Sequence, residues 1–154
     1  MGTGKLFHFT QSGLDNVWLA NGWRVTKTPY GPSFSIERLN GLHEALARFI
    51  VESPLPMRGQ DARYLRVMLD LSQADMGKLL GVSRATVIRW ENAAKAPLDR
   101  VHDIAVRATY AAHRDGGSLV AATIKALQEA DEARHGRAYR AVFEANRKGW
   151  RLAA

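Results

Sequence analysis

The 154-residue sequence predicts an α+β fold, in which a small N-terminal β-meander with one helix precedes a larger all-α part. Over the first 36 residues, apolar and polar side chains alternate between turn-type dipeptides, which is typical of short strands. From Ile36 onwards apolar residues recur every three or four positions, which indicates helices. The two prolines of Ser53-Pro54-Leu55-Pro56 disfavour a continuous helix. We therefore expect three segments, namely residues 1–53, 57–110 and 111–154.

The first segment carries several strand and turn signals. Phe7-His8-Phe9-Thr10 alternates like a strand, and Asn21-Gly22 lies between two runs of aromatic and β-branched residues, which predicts a hairpin turn at that pair. Phe34 and Ile36 alternate with serines as a further strand, and one helix follows as far as Ser53. We expect four large side chains to form the core of this segment, with a ligand cage as the alternative: Trp18, Trp23, Phe34 and Phe49.

Residues 71–92, with the sequence LSQADMGKLLGVSRATVIRWEN, contain two short helical patterns joined by one turn. Ser72 and Ser83 are suitable N-caps, and Gly81 follows the point where the first helix must stop. Gly77 lies within that helix at a cost in helix propensity, which is reasonable if the second helix passes close by. The inward positions are Met76, Leu79, Leu80, Val82, Val87 and Trp90. This is the pattern of a helix-turn-helix, whose second helix can enter a DNA major groove. Two core helices of an unrelated α-domain are the alternative.

The stretch from Leu71 to Glu91 closely resembles the Cro/C1-type (XRE) helix-turn-helix family. The resemblance implies that residues 57–110 form a helix-turn-helix DNA-binding domain in which Arg66 pairs with Glu91. An exposed, uncoupled pair is the alternative. The resemblance also implies that three polar residues contact DNA phosphates, namely Gln73, Ser83 and Asn92. Lys95 and Lys78 are further candidates for the same role.

The second helix of the motif, Ser83–Glu91, is expected to read bases with its exposed face. Arg84 and Arg89 can each bind guanine O6 and N7 in bidentate fashion, which contributes about 1–3 kcal/mol of discrimination per contact. Ala85 is short enough to allow close approach against a thymine methyl, and Thr86 can reach a base or a phosphate. A solvated helix face is the alternative for the two arginines.

The first segment shows a second, looser resemblance through GLDNVWLANG, TPYGPSFSI and GLHEA. These stretches are similar to the N-terminal region of small bacterial two-domain regulators, including MqsA-type antitoxins. In those proteins the module binds zinc through Cys-x-x-Cys pairs. This sequence has no cysteine, and its five histidines are scattered without ligand spacing. We therefore expect neither a metal nor another cofactor.

Composition and charge agree with a nucleic-acid partner. The net charge is +7 and the pI is near 10.1, which suits a polyanion. No apolar run is long enough to cross a membrane, and the N-terminus does not have the form of a signal peptide, so we expect a cytoplasmic protein. Neither a catalytic set nor a glycine-rich phosphate loop occurs in a family-like context, so we expect no enzyme.

The last part of the chain predicts further helices. Leu98, Val101, Ile104, Ala105 and Ala108 define the inner face of one helix, which ends at Asp115-Gly116-Gly117-Ser118. Another helix is expected from about Ser118 to Arg134, and a final one after His135-Gly136, with Tyr139, Val142, Phe143 and Trp150 on one side. The C-terminal cations either touch the DNA backbone or form a solvated face, namely Arg134, Arg137, Arg140, Arg147, Lys148 and Arg151.

The predicted function is that of a dimeric repressor of its own operon, from a phage, a plasmid or an integrated element. One module touches only a few base pairs, so specific repression usually takes a homodimer on an inverted repeat of double-stranded DNA. The helix from Leu98 to Tyr110 or the extra C-terminal helices would form the dimer interface. RNA fits a groove-reading helix less well. The alternative is an antitoxin that binds a toxin protein and represses its own operon.

Overall fold

The computed structural model describes residues 5–115, 124–126, 129, 143–147 and 149–152. The strands are β1 Phe7–His8, β2 Trp18–Leu19, β3 Trp23–Thr28, β4 Gly31–Ile36, β5 Phe143–Asn146 and β6 Gly149–Leu152. The helices are a 3₁₀ turn at Thr10–Ser12 and α1 Leu39–Glu52, α2 Gly59–Met68, α3 Gln73–Leu80, α4 Arg84–Asn92 and α5 Arg100–Asp115. The predicted α+β class is confirmed. No helix in the described ranges is long and apolar enough to span a membrane.

The N-terminal strands form two antiparallel pairs, β1 with β2 and β3 with β4. The hairpin predicted at Asn21-Gly22 is therefore wrong, because β2 pairs back to β1, and the β3–β4 turn lies at Pro29 and Tyr30. Gly22 does adopt a positive φ of 77°, but it forms the corner between the two pairs. Its carbonyl accepts a hydrogen bond from the Glu37 amide at 2.8 Å.

The aromatic core expected for the first segment is also wrong for three of its four residues. Trp18, Phe34 and Phe49 are about half exposed, at 54%, 45% and 55%. Neighbouring residues of a strand point to opposite faces, so the burial of Leu19 turns Trp18 outward. The buried side chains of this segment are Phe9, Leu14, Val17, Leu19, Leu46, Ala47 and Ile50.

One cluster of buried side chains runs through both the N-terminal segment and the helices that follow it. α1 packs against α2 and α5, while α2 also contacts α4. Leu65 and Val106, both fully buried, lie at the centre of the helical part. Residues 1–53 and 57–110 therefore share a core, and their division into separate domains stays a prediction.

The buried face of helix α5 differs from the face that the sequence predicted. Val101 and Ile104 are 73% and 56% exposed, whereas Val106 and Tyr110 are buried. This orientation brings the Asp103 and Arg107 side chains, which lie one turn apart on the helix, towards the chain that links α1 to α2.

Arg107 and Asp103 clamp this linker. The guanidinium donates to the carbonyls of Ile50, Val51 and Ser53 at 2.6–3.1 Å, and to that of Leu55 at 2.7 Å. Asp103 accepts from Arg107 Nε at 2.5 Å and from the Met57 amide at 3.0 Å. The cation thus satisfies carbonyls at the C-terminal end of α1, where the helix dipole favours positive charge.

The final helix predicted after His135-Gly136 is wrong where the structure describes it. β5 and β6 pair antiparallel, with Phe143 opposite Leu152 and Asn146 opposite Gly149. Gly149 has a φ of 128°, which a helix does not accommodate. Of the helix predicted from Ser118 to Arg134, residues 124–126 and 129 are helical and the rest lie outside the described residues, as do Arg134, Arg137, Arg140 and Lys148.

Replacing Arg107 by alanine is expected to lower the free energy of unfolding by about 2–4 kcal/mol, because several carbonyls and Asp103 lose a charged partner. Arg107→Lys should recover only part of the loss, since an ammonium cannot supply the planar fork of donors. Urea unfolding followed by circular dichroism measures both variants. Arg48→Ala, at an exposed position of α1, is the control and should change stability by less than about 0.5 kcal/mol. A loss no larger for Arg107→Ala than for this control would contradict the clamp.

Candidate nucleic-acid interface

Helices α3 and α4 are both capped by serine. Ser72 Oγ accepts a hydrogen bond from the Asp75 amide at 3.0 Å, and Ser83 Oγ accepts one from the Thr86 amide at 3.1 Å. Gly81, at φ 72°, ends α3 in the left-handed region. The sequence predicted all three residues in these roles, because serine caps and a terminal glycine satisfy backbone groups at helix ends.

Gly77 makes the close contact between the two helices of the motif. A Cβ atom at this position would lie 2.7 Å from the Val82 carbonyl oxygen and 3.3 Å from the Arg84 amide nitrogen. The Val82 amide donates to the Gly77 carbonyl at 2.9 Å, which fixes the turn. The close approach expected from the sequence is therefore present, and it explains a glycine in the middle of a helix.

A second close contact joins the start of α2 to the end of α4. A Cβ on Gly59 would overlap the Trp90 carbonyl oxygen and lie 2.8 Å from that of Ala93. The adjacent Gln60 is buried, and its side chain accepts from the Asp15 amide at 2.9 Å and donates to the Ala94 carbonyl at 3.3 Å. Neither residue was predicted from the sequence. The only available signal was a glycine at a helix start, and that position tolerates many residues.

Arg66 and Glu91 lie in direct contact between α2 and α4. Arg66 Nε donates to Glu91 Oε1 at 2.5 Å, and its two terminal nitrogens donate to Glu91 Oε2 at 3.3 Å and to the Leu71 carbonyl at 2.8 Å. The side chains are only 14% and 7% exposed. Gln73 Nε2 donates to Glu91 Oε2 at 2.5 Å, so α3 joins the same network. The pair fixes α4 against both preceding helices.

The expected base-reading residues lie along one outer side of α4. Arg84, Ala85 and Arg89 are exposed, while Thr86 is half-buried with its hydroxyl 3.0 Å from Ser83 Oγ. On the opposite side Val87 is buried in the core. Within the described ranges, no carboxylate forms an ion pair with either arginine. The two guanidinium groups are therefore available to a ligand outside the chain.

The residues expected to contact phosphates lie in two places, around the helix-turn-helix and in a cleft beside the N-terminal segment. Ser83, Asn92 and Lys78 are exposed, and Gln73 is half-buried through its bond to Glu91. Lys95 is exposed as well, but it lines a cleft with Asn16 and Phe49 of the N-terminal segment. Their roles as DNA contacts stay predictions.

Asp15 lies close to this cleft. Arg58 NH1 donates to its carboxylate at 2.9 Å, and this hydrogen bond lowers the pKa of Asp15, with smaller contributions from Gln60 and from the charge of Lys95.

In the part of the chain that the structure describes, no group of three or more histidine, aspartate or glutamate side chains is arranged to hold a metal ion.

Two serine-capped helices in backbone contact, the second presenting cations to solvent, define a helix-turn-helix protein. Residues 63–105 match the family model described as Helix-turn-helix. This segment is an XRE-type helix-turn-helix domain, and the chain is a DNA-binding regulator. The match does not extend to the N-terminal segment, whose similarity to the MqsA-type module stays a prediction. Comparison with curated proteins and with solved structures returned no significant match.

Removing one partner of the Arg66–Glu91 pair is expected to lower the free energy of unfolding by about 3–5 kcal/mol, because the other charge stays buried without compensation. Arg66→Met combined with Glu91→Leu should recover much of the loss. Urea unfolding of the single and double variants gives the coupling energy. The matched control is the exposed pair Arg24 and Glu37, which are 4.0 Å apart and should show almost no coupling. Equal coupling in the two pairs would contradict a structural role for Arg66.

Proposed function

We propose that the protein is a sequence-specific repressor that binds double-stranded DNA as a homodimer, with α4 in the major groove. The observation that carries this proposal is the position of α4. One side is held by the Gly77 contact, Val87 and the Arg66–Glu91 pair, and the other side presents exposed Arg84, Ala85 and Arg89. A rigid helix with an outer face of this kind can place side chains against base edges. The protein would act in the cytoplasm, where the promoter lies.

Each outward residue has a distinct role in this proposal. Arg84 and Arg89 bind guanine O6 and N7 through paired donors, because a planar guanidinium matches that pair of acceptors. Ala85 lies between them along the helix and leaves room for a thymine methyl group. The Thr86 hydroxyl already contacts Ser83, but it retains hydrogen-bonding capacity for a base or a phosphate.

Phosphate contacts would fix the orientation of α4 on the duplex. Gln73 uses one amide hydrogen for Glu91, and the second remains for a phosphate oxygen. Ser83, Asn92 and Lys78 are exposed around the motif and complete the proposed set. Lys95 has less support as a phosphate contact, because it lines a cleft facing the N-terminal segment.

A double substitution tests base reading directly. In a footprint on the DNA upstream of its own gene, the wild-type protein should protect an inverted repeat at near-physiological salt. Arg84→Ala with Arg89→Ala should weaken this binding by about 100-fold, since each bidentate contact contributes on the order of 1–3 kcal/mol.

The matched control is Arg48→Ala with Arg63→Ala, which removes the same charge from exposed positions of α1 and α2. The control should keep the protected repeat. Weak binding that disappears with salt and responds equally to both double variants would indicate non-specific charge attraction and would contradict the proposal.

Dimerisation is proposed through α5. Val101 and Ile104 lie on one side of the helix at 73% and 56% exposure, and exposed apolar side chains one turn apart are typical of a helix that packs against a partner. Two copies related by a twofold axis would present two α4 helices to half-sites about one helical turn apart.

Light scattering at micromolar concentration should therefore give the mass of a dimer for the wild-type protein. Val101→Glu with Ile104→Glu should give a monomer of unchanged helix content, because four carboxylates, two from each copy, would be buried at the interface. Val67→Glu is the control, since this exposed apolar residue lies on α2. A wild-type monomer would contradict the dimer, and an unchanged dimer in the double variant would contradict the role of α5.

An antitoxin is the second candidate, and the β3–β4 hairpin favours it. Tyr30 at the hairpin turn is 100% exposed, and Val25 and Phe34, which are opposite each other in the register, are 48% and 45% exposed. Exposed apolar side chains on a projecting hairpin suit a protein partner. Co-expression with a small basic protein encoded next to the gene should yield a complex that Val25→Ser with Phe34→Ser disrupts. Purification of the two proteins apart would contradict this candidate.

A further inference from the structure

A cleft of about 440 Å³ lies where the N-terminal segment meets the loop that follows α4. Its apolar wall comes from α1, the linker and that loop, namely Phe49, Ile50, Leu55, Pro56, Met57 and Pro97. Phe49 and Leu55 are 55% and 63% exposed, so an occupant would cover apolar surface that water now contacts. The volume lies in the range typical of small-molecule sites, about 300–1,000 Å³.

Three cations line the cleft, and two of them are neutralised by carboxylates of the chain. Arg58, Lys95 and Arg107 line it, against a single carboxylate, that of Asp61. Arg58 is already bound to Asp15 and Asp61, and Arg107 to Asp103 and the linker carbonyls. Lys95, by contrast, forms no ion pair with any carboxylate of the described residues. The Lys95 charge acts on the nearby Asp15 carboxylate, but the side chain is exposed, whereas Arg58 and Arg107 are partly buried, so its ammonium is the most accessible of the three cations.

The wall of the cleft is hydrogen-bonded to the segment that follows α4. The amides of Gly59 and Gln60 donate to the carbonyls of Ala96 and Ala94, both at 3.0 Å, and the Leu98 amide donates to the Met57 carbonyl at 2.8 Å. Gly59 also touches the last turn of α4. A ligand that contacts exposed Lys95 would therefore act on residues 94–98, the segment that follows α4 and is bonded to the start of α2.

We propose that this cleft binds a small organic carboxylate with an aromatic or aliphatic body, and that binding alters the affinity of α4 for DNA. The body packs against the exposed Phe49 and Leu55 side chains, with buried Met57 directly beneath the wall, and the carboxylate meets the Lys95 ammonium. A neutral ligand of the same shape gains only the apolar contacts, and an organic cation meets the Lys95 ammonium without forming an ion pair, because Arg58 and Arg107 are already paired with carboxylates. The part of the proposal that concerns DNA rests on the proposed function, whereas ligand binding does not.

Binding is tested without DNA by three probes that share one body: 4-phenylbutyrate, 4-phenylbutan-1-ol and 4-phenylbutylamine. The full-length protein is labelled at the methyl groups of its four methionines and titrated by NMR. Met57 lines the cleft, whereas Met76 lies in the core of the helix-turn-helix. 4-Phenylbutyrate should shift the Met57 signal, assigned with Met57→Leu, and leave that of Met76 in place. It should bind about fivefold more tightly than the alcohol, the difference expected for an exposed ion pair.

Lys95→Gln should abolish the preference for the carboxylate and leave the affinity for the alcohol unchanged. Lys27→Gln removes the same charge from the β3–β4 hairpin and should leave both affinities unchanged. Equal affinity for all three probes, no shift of Met57, or a Met57 shift that appears only on self-association would overturn the site.

The regulatory part is tested by repeating the footprint with 4-phenylbutyrate at a saturating concentration. DNA affinity should change by about fivefold or more in the wild-type protein and not in Lys95→Gln, in line with typical coupling between sites. Unchanged affinity in a protein whose Met57 signal shows full occupancy would overturn the regulatory part. A failure of DNA binding itself would appear already without the probe, so the two failures are distinguishable.

Discussion

The contact between the start of α2 and the segment that follows α4 is the constraint on which the rest of the structure depends. Residues 57–60 and 94–98 are joined by backbone hydrogen bonds, and the absence of a side chain at Gly59 lets the α4 carbonyls approach the helix. The N-terminal segment attaches at the same place, through the bond between Asp15 and Gln60. Helix α4, the linker between α1 and α2, and the N-terminal segment therefore meet in one small region.

Two partly buried arginines join further parts of the chain to this region. Arg66 binds Glu91 and the Leu71 carbonyl, which holds α4 on the helix before it, while Arg107 binds carbonyls of α1 and of the linker. In both cases the planar guanidinium serves several acceptors at once, which an ammonium group does not do. Charged groups buried in this way are costly unless every partner is present, so they favour one arrangement of the helices over others.

The protein has two separate surfaces that could bind other molecules. The outer side of α4 presents Arg84 and Arg89 to solvent, and the cleft containing Lys95 lies where the loop after α4 meets the N-terminal segment. A helix-turn-helix needs only the first of these to bind DNA. The additional N-terminal segment forms part of the second, and it attaches through Asp15 to Gln60, whose side chain also donates to Ala94 in the segment that follows α4.

Local signals in the sequence determined the helix-turn-helix almost completely. Serine caps, the turn glycine and the small residue at Gly77 act within a few positions of one another, so short-range rules describe them. The family resemblance supplied the pairing of Arg66 with Glu91, which lie 25 residues apart. The α+β class and the position of α1 also followed from periodicity, which reports the local backbone and not its partners.

The tertiary structure decided every feature that depends on which surfaces meet. The Asn21-Gly22 pair fits a hairpin turn by itself, yet β2 pairs with β1. Periodicity placed Val101 and Ile104 inside, but in the structure Asp103 and Arg107 face the linker, where the guanidinium donates to its carbonyls. In the β5–β6 hairpin, the apolar residues fit a period of two as well as one of three to four, and the pairing of the two segments makes them strands instead of a helix.

The sequence thus determined the motif that contacts DNA. Long-range hydrogen bonds and packing decided how the rest of the chain surrounds it, because such contacts join residues that no local pattern relates.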